Sequence, residues 1–247
     1  MKIALCLSGQ PRFIENHFQV YKQILLDHYD VDVFVHTWWD PNNLSQHSVI
    51  PDRSERTYSP HALNAIYQLY QPKKMVHELP KFWTRQYEIT EKQLEEGPSW
   101  AKNAVGGLDA GKRYLCNMTN SMWYSIMMAN LLKEQYSVDN TIEYDMVVRG
   151  RFDFVPHVLL DFNQFILKED DIVCHSTGLP YDMPHDWFAF GPTESMNAYC
   201  GIYNHINELV KQSNRLDGWW CNELLIKHHL NNNNITIRHA NLSVLQR

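Results

Sequence analysis

Several stretches of this chain gather the residue types that hold anions and move protons. In Ser8-Gly9-Gln10-Pro11-Arg12, Gly9 permits close backbone approach, Ser8 and Gln10 supply hydrogen bonds, and Arg12 can grip a phosphate through two N–H groups at once. The loop lacks the glycine spacing of a dinucleotide fingerprint and equally suits a plain strand-to-helix turn. The run Tyr144-Asp145-Met146-Val147-Val148-Arg149-Gly150-Arg151-Phe152-Asp153 is an apolar strand ending in two arginines and an aspartate. Alternation puts Arg149 and Arg151 on one side, joined by Asp153 if the strand continues. Unpaired buried charge is costly, so the cluster either faces a ligand or closes on itself as an internal Arg–Asp ion pair. Facing a ligand, the guanidiniums would neutralise a diphosphate, and the carboxylate would take a hard cation or a ribose hydroxyl.

Three further candidates follow. Asp186, in Pro184-His185-Asp186-Trp187, can bind acceptor hydroxyls beside a Trp187 that stacks on a sugar ring, or can be a turn residue before a core strand. Asp217-Gly218-Trp219-Trp220-Cys221-Asn222-Glu223 opens a predicted helix. Glu223 there is a candidate general base, although acidic residues also suit any helix N-terminus. His239 lies in a late apolar strand, as a metal-binding imidazole or a structural one.

The elements that must position these residues read as an α/β domain, with β-branched runs alternating with helical periodicity around a mostly parallel sheet flanked by helices. Strands are predicted at Ile3–Leu7, Val31–Thr37, Lys74–Glu78, Asp145–Arg149, Ile172–His175, Trp187–Phe190 and Thr236–Ala240. Helices are predicted at Ile14–Tyr29, from after Pro60 to Tyr70, at Thr193–Gln212, from Asp217 to Leu230 and, between these, at Thr119–Tyr136. The clearest is the last of these, where Met122, Ile126 and Ala129 recur with Trp123, Met127 and Leu131 at helical spacing. Lys81–Arg113 reads as a long loop or a partly helical insertion. In a parallel sheet, ligands bind beyond the carboxyl ends of the strands, which is where the Ser8–Arg12 loop belongs. Two motifs are decoys. Gly106-x-x-x-x-Gly111-Lys112 resembles a P-loop, but Arg113 replaces the magnesium-binding hydroxyl and no apolar strand precedes it. Asp30-Val31-Asp32 is a literal D-x-D, yet it begins a strand, at the wrong edge, and reads as a turn.

Composition sets the outer bounds. With 247 residues and no apolar stretch near the roughly 20 residues of a membrane span, a soluble single domain without export is expected. A net charge of −6 argues against nucleic acid or anionic lipid as partner, while leaving room for a local basic pocket. Five cysteines at wide, odd spacings suggest neither a disulfide framework nor a zinc knuckle, so buried thiols in the cytoplasm are expected. Aromatics make up 13% of the chain, a level that suits flat polar ligands such as sugars as well as an aromatic core.

With these parts in order, the chain resembles the GT-A class of nucleotide-sugar glycosyltransferases, in particular small bacterial and viral polysaccharide-type enzymes. The resemblance rests on Leu7-Ser8-Gly9-Gln10-Pro11-Arg12, Asp32-Val33-Phe34-Val35-His36-Thr37-Trp38 and the Trp123-Tyr124-Ser125-Ile126 helix that feeds Tyr144–Asp153. It implies a single Rossmann-like domain over 1–247, with a nucleotide-binding half at 1–153 and an acceptor-binding half at 154–247. It implies that Ser8, Gly9, Gln10, Arg12, Trp38, Arg149, Arg151 and Asp153 bind the nucleotide sugar, that the catalytic Asp186 faces the acceptor or the donor sugar, and that Glu223 or Asp217 sits where inverting members place their base; Glu223 or Asp186 would then deprotonate the acceptor. It further implies that Asp153 and His239 hold a divalent cation, Mn2+ or Mg2+. The acceptor would be a glycan, a lipid-linked or a small hydroxyl compound. Arg151 stands where the class has the first acid of D-x-D, which weakens a metal site and replaces part of the cation's charge. Loss of that acid also fits a non-catalytic carbohydrate-binding or assembly module of the same fold. A nucleotidyltransferase would need at least two converging carboxylates for its metals.

Overall fold

The computed structural model describes residues 1–44, 58–84, 108–175, 183–218, 220–242 and 244–245. Its centre is a seven-stranded sheet in the order β3-β2-β1-β4-β7-β6-β8. The strands are β1 (Lys2–Gly9), β2 (Asp30–Trp38), β3 (Lys74–Glu78), β4 (Met146–Arg151), β6 (Asp171–His175), β7 (Ala189–Gly191) and β8 (Thr236–Ala240). Two-residue strands β5 (Val155–Pro156) and β9 (Val244–Leu245) pair separately. β1 pairs in parallel with both β2 and β4, and β7 alone runs antiparallel, between β4 and β6. Residues from both predicted halves therefore build one sheet of an α/β, Rossmann-like fold.

Alternation along the strands sorts the core onto the two faces of the sheet. Ala4, Cys6, Phe34 and Val147 pack with Trp123, Ile126 and Ala129 of the long helix α3 (Leu108–Asn140). Ile3, Leu5, Leu7 and Val148 pack with Ile14 and Tyr21 of α1 (Ile14–Tyr21) and Ile66 of α2 (Ala62–Tyr70). Helices α4 (Thr193–Cys200), α5 (Ile206–Asp217) and α6 (Asn222–Asn232) complete the first face.

Several boundaries correct the sequence reading. Helix α1 stops at Tyr21 and gives way to a π-helical turn at Lys22–Leu26. The single helix expected at Thr193–Gln212 is two, separated by a 3-10 stretch at Gly201–His205. Asp217 ends α5 instead of opening the next helix, because Gly218 takes the left-handed φ of 76° that terminates helices. Asp30 and Asp32 lie within β2, not in a turn, and buried Asp32 accepts a hydrogen bond from Tyr144 and pairs with Lys2. Residues 108–113 of the expected loop are the start of α3, so Gly111 and Lys112 of the P-loop look-alike are helical. Gly106 and the rest of that loop from 85 onward lie outside the described residues.

Candidate functional site

Strand order reverses at β1, whose neighbours β2 and β4 lead to opposite sides of the sheet, and this is where an open sheet leaves a crevice at its carboxyl edge. Gly9 ends β1 there, Arg12 follows it, and Asp153 follows β4. Because β7 is reversed, Asp186 just before it reaches the same edge. The candidate residues thus come from the two central strands, the reversed strand and the start of α6.

Asp153 is the hub. Arg151 donates from Nε to Oδ1 at 2.8 Å and from Nη2 to Oδ2 at 3.0 Å, and Arg12 donates from Nη1 to Oδ2 at 3.0 Å. Gln10 accepts a further short hydrogen bond from Arg12 Nη2. Burial alone would raise the Asp153 pKa, but the charges and hydrogen bonds of Arg151 and Arg12 outweigh it and hold the carboxyl well below the usual range. The ion-pair alternative therefore holds for Arg151. Arg149 differs: it is 1% exposed, and its Nε and Nη1 have no hydrogen-bond partner.

Asp186, 6% exposed, accepts a hydrogen bond from Asn222 Nδ2 at 3.3 Å through Oδ2, while Oδ1 has no partner. Asn222 is anchored in turn by Thr119 and Trp123 of α3, both at 3.3 Å from its Oδ1. The next residue, Glu223, is half-buried, and its carboxyl is raised to about 7, first by burial and then by the charge of Asp186. Asp186 also acts on Arg151, and both Arg149 and Asp186 act on the buried, unpartnered hydroxyl of Tyr199. These contacts form one electrostatic neighbourhood.

A second network fixes the loop after β1. The Gly9 amide donates to Ser125 Oγ at 2.9 Å, Ser125 Oγ lies 2.8 Å from His36 Nδ1, and His36 Nε2 lies 3.2 Å from Glu78 Oε1. Burial lowers the His36 pKa despite Glu78, so the ring is neutral. Ser125 Oγ also donates to the His36 carbonyl at 3.3 Å, so serine and histidine are joined through both the ring and the backbone. Burial alone would raise the Glu78 pKa, but hydrogen bonds from Lys81, Tyr124 and His36 lower it. Thr37 Oγ1 closes the loop by donating to the Gly9 carbonyl at 2.8 Å. Gly9 itself has φ 108°, a conformation other residues rarely adopt. Ser125 and His36 are fully buried, so this Ser–His–Glu series positions backbone and offers no accessible nucleophile.

The remaining candidates fall as follows. Ser8 is buried at the end of β1, in register with His36 on one side and Arg151 on the other. Trp38 is buried against Tyr124, rings 5.6 Å apart and stacked, so it supports the β2 end instead of presenting a face. Asp217 accepts from His228 at 2.6 Å and from Ser213 at 3.3 Å, which ties α5 to α6. His239 is exposed on β8, and the intervening β7 and β6 put its strand three spacings, roughly 14 Å, from β4.

A divalent cation does not fit these residues. Both oxygens of Asp153 are taken by guanidiniums, His239 sits strands away, and among the described residues no group of three or more His, Cys, Asp or Glu could hold a metal. No helix among the described residues is long and apolar enough to cross a membrane. Compared with known proteins, the chain matches no family model and no curated protein.

Sequence reasoning missed Ser125 and His36 as partners, Glu78, Tyr199 and Asn222. Only one signal could have found them: polar residues set within apolar runs, as His36 is within Val33-Phe34-Val35-His36-Thr37.

Proposed function

We propose that this chain is a glycosyltransferase that moves a sugar from a nucleoside diphosphate donor to a hydroxyl on a glycan, a lipid-linked or a small acceptor. The observation that carries the reading is that Arg12 and Arg151 meet on Asp153 at the carboxyl ends of β1 and β4, with Arg149 within β4 and Asp186 and Glu223 in the same electrostatic neighbourhood. Transfer of a glycosyl group forms a C–O bond to the acceptor and breaks the bond to the diphosphate, whose oxygen takes the electron pair. Preorganised guanidiniums are suited to that developing charge, because they need no reorientation as it appears. The acceptor proton needs a carboxylate whose pKa lies near neutrality, and Glu223 beside Asp186 meets that requirement for an inverting reaction. A cytoplasmic setting belongs to the reading and is supported by five free cysteines, four of them buried.

Calorimetric titration with UDP, GDP, dTDP and CMP tests it. Selective binding of one nucleotide names the donor base, and release of that nucleotide from its sugar conjugate on addition of an acceptor demonstrates transfer. Binding without turnover favours a carbohydrate-binding module, and binding of none rejects a sugar-nucleotide site.

A further inference from the structure

Arg149 is a buried cation with no ion pair among the described residues. Its cross-strand neighbours are Cys6 on β1 and Ala189 on β7, with Cys174 beyond, all small and buried. None of them supplies an anion: burial pushes the Cys174 thiol up to about 12 despite Arg149, and burial likewise keeps the Tyr199 phenol protonated. No ion pair joins Arg149 to Asp186, although both lie within electrostatic reach of Tyr199. An arginine in such surroundings is destabilising unless a ligand completes it.

On the same side of β4, Arg151 shares the Asp153 carboxylate with Arg12, so two guanidiniums meet on one carboxylate. A divalent cation placed at Asp153 would have to displace both arginines and then sit against them. A bare diphosphate meets the opposite situation: Arg149 has unpartnered N–H groups to offer it, and Arg12 and Arg151 add their positive charge from the Asp153 cluster.

We infer that the diphosphate is bound as the metal-free anion, held by Arg149 together with the Arg12–Arg151 pair, and that these arginines take the place a divalent cation would have. This rests on the sugar-nucleotide reading above. Arg149 is then an anion-binding residue whose uncompensated burial in the free protein is resolved by the ligand.

The test is titration of the purified chain with UDP, GDP and dTDP, in EDTA and again in Mn2+, for the parent and for Arg149→Met. In the parent, the nucleotide that binds does so equally well in EDTA. In Arg149→Met, its affinity falls about tenfold or more, the loss of a charge-assisted contact, while the melting temperature of the free protein rises. Loss of binding with a gain in stability is a combination that a merely structural arginine cannot produce. Binding that requires Mn2+ overturns the inference and leaves the sugar-nucleotide reading intact. Unchanged affinity in Arg149→Met with a lowered melting temperature overturns it too. Failure of every nucleotide to bind under both conditions overturns the reading and the inference together.

Discussion

Arg151 holds Asp153 side-on, with Nε and Nη2 donating to its two oxygens at 2.8 and 3.0 Å. Only Phe152 separates them in sequence, and Phe152 turns into the opposite core beside Ile14 and Tyr21. Burial of that ring fixes the backbone at the end of β4, so the two charged side chains meet on the crevice side. Arg12 completes the pairing from the loop after β1.

Asp153→Asn should therefore leave two guanidiniums sharing no carboxylate. The groups are partly exposed, which reduces the penalty of a broken buried pair to roughly 2 kcal/mol, and thermal denaturation should report it. Because the Asp153 pKa is depressed in the fold, its contribution is present above the ordinary value of 3.8 and is lost as pH falls below it. The gap in melting temperature between parent and Asp153→Asn should thus close towards low pH. A gap that stays constant there would mean that the pairing contributes nothing to stability.

Ser125→Ala should break the chain from the Gly9 amide to His36. It leaves the half-buried Gly9 amide and the buried His36 Nδ1 without their serine partner, a loss of about 1–3 kcal/mol. Since Gly9 begins the loop that carries Arg12, nucleotide affinity should fall along with the melting temperature. Normal affinity in a destabilised Ser125→Ala protein would show that the loop is held by Thr37 alone.

How far the sequence reveals this site depends on distance along the chain. The strands were legible because runs such as Ile3–Leu7 are apolar throughout, and Arg149 and Arg151 stand out by breaking such a run. Helical periodicity locates the apolar stripe of α3 at Thr119–Tyr136 but not its extent, since the helix runs over Leu108–Asn140 and its ends, such as Val138-Asp139-Asn140, carry no apolar period. The Ser125–His36–Glu78 series joins a helix and two strands across 89 and 42 residues, and no local pattern encodes it. Asp217 illustrates the limit: an acidic residue before Gly-Trp-Trp reads as a helix start, whereas the left-handed Gly218 makes it a helix end.

Gly150→Ala tests the packing that supports β4. A Cβ at this position would overlap the Tyr21 hydroxyl, which donates to the Arg151 carbonyl at 3.0 Å. Displacing the ring should destabilise the fold by about 1–3 kcal/mol. Tyr21→Phe removes the overlapping oxygen, so Gly150→Ala should be less damaging in that background, and the two effects should not add. Strict additivity in denaturant unfolding would show that the tyrosine moves aside freely.

Glu223 gives a pH dependence of opposite sign to that of Asp153. Its pKa is raised from 4.5 to about 7 in the fold, by burial and by Asp186, so the folded state binds the proton more tightly than the unfolded one. That contribution favours the fold fully below pH 4.5 and is lost as pH rises through about 7. Relative to Glu223→Gln, which does not titrate, the parent should be most stable at low pH and lose ground across this interval, then level off. Adding Asp186→Asn to both proteins removes the repelling charge and should shorten the interval from its upper end. The two windows do not overlap, since the Asp153 effect lies below pH 3.8 and that of Glu223 above 4.5. Melting temperatures from pH 4.5 upward therefore isolate Glu223. A parent curve parallel to that of Glu223→Gln would mean that this carboxyl is solvated and is not held against Asp186, which would remove the support for it as the base.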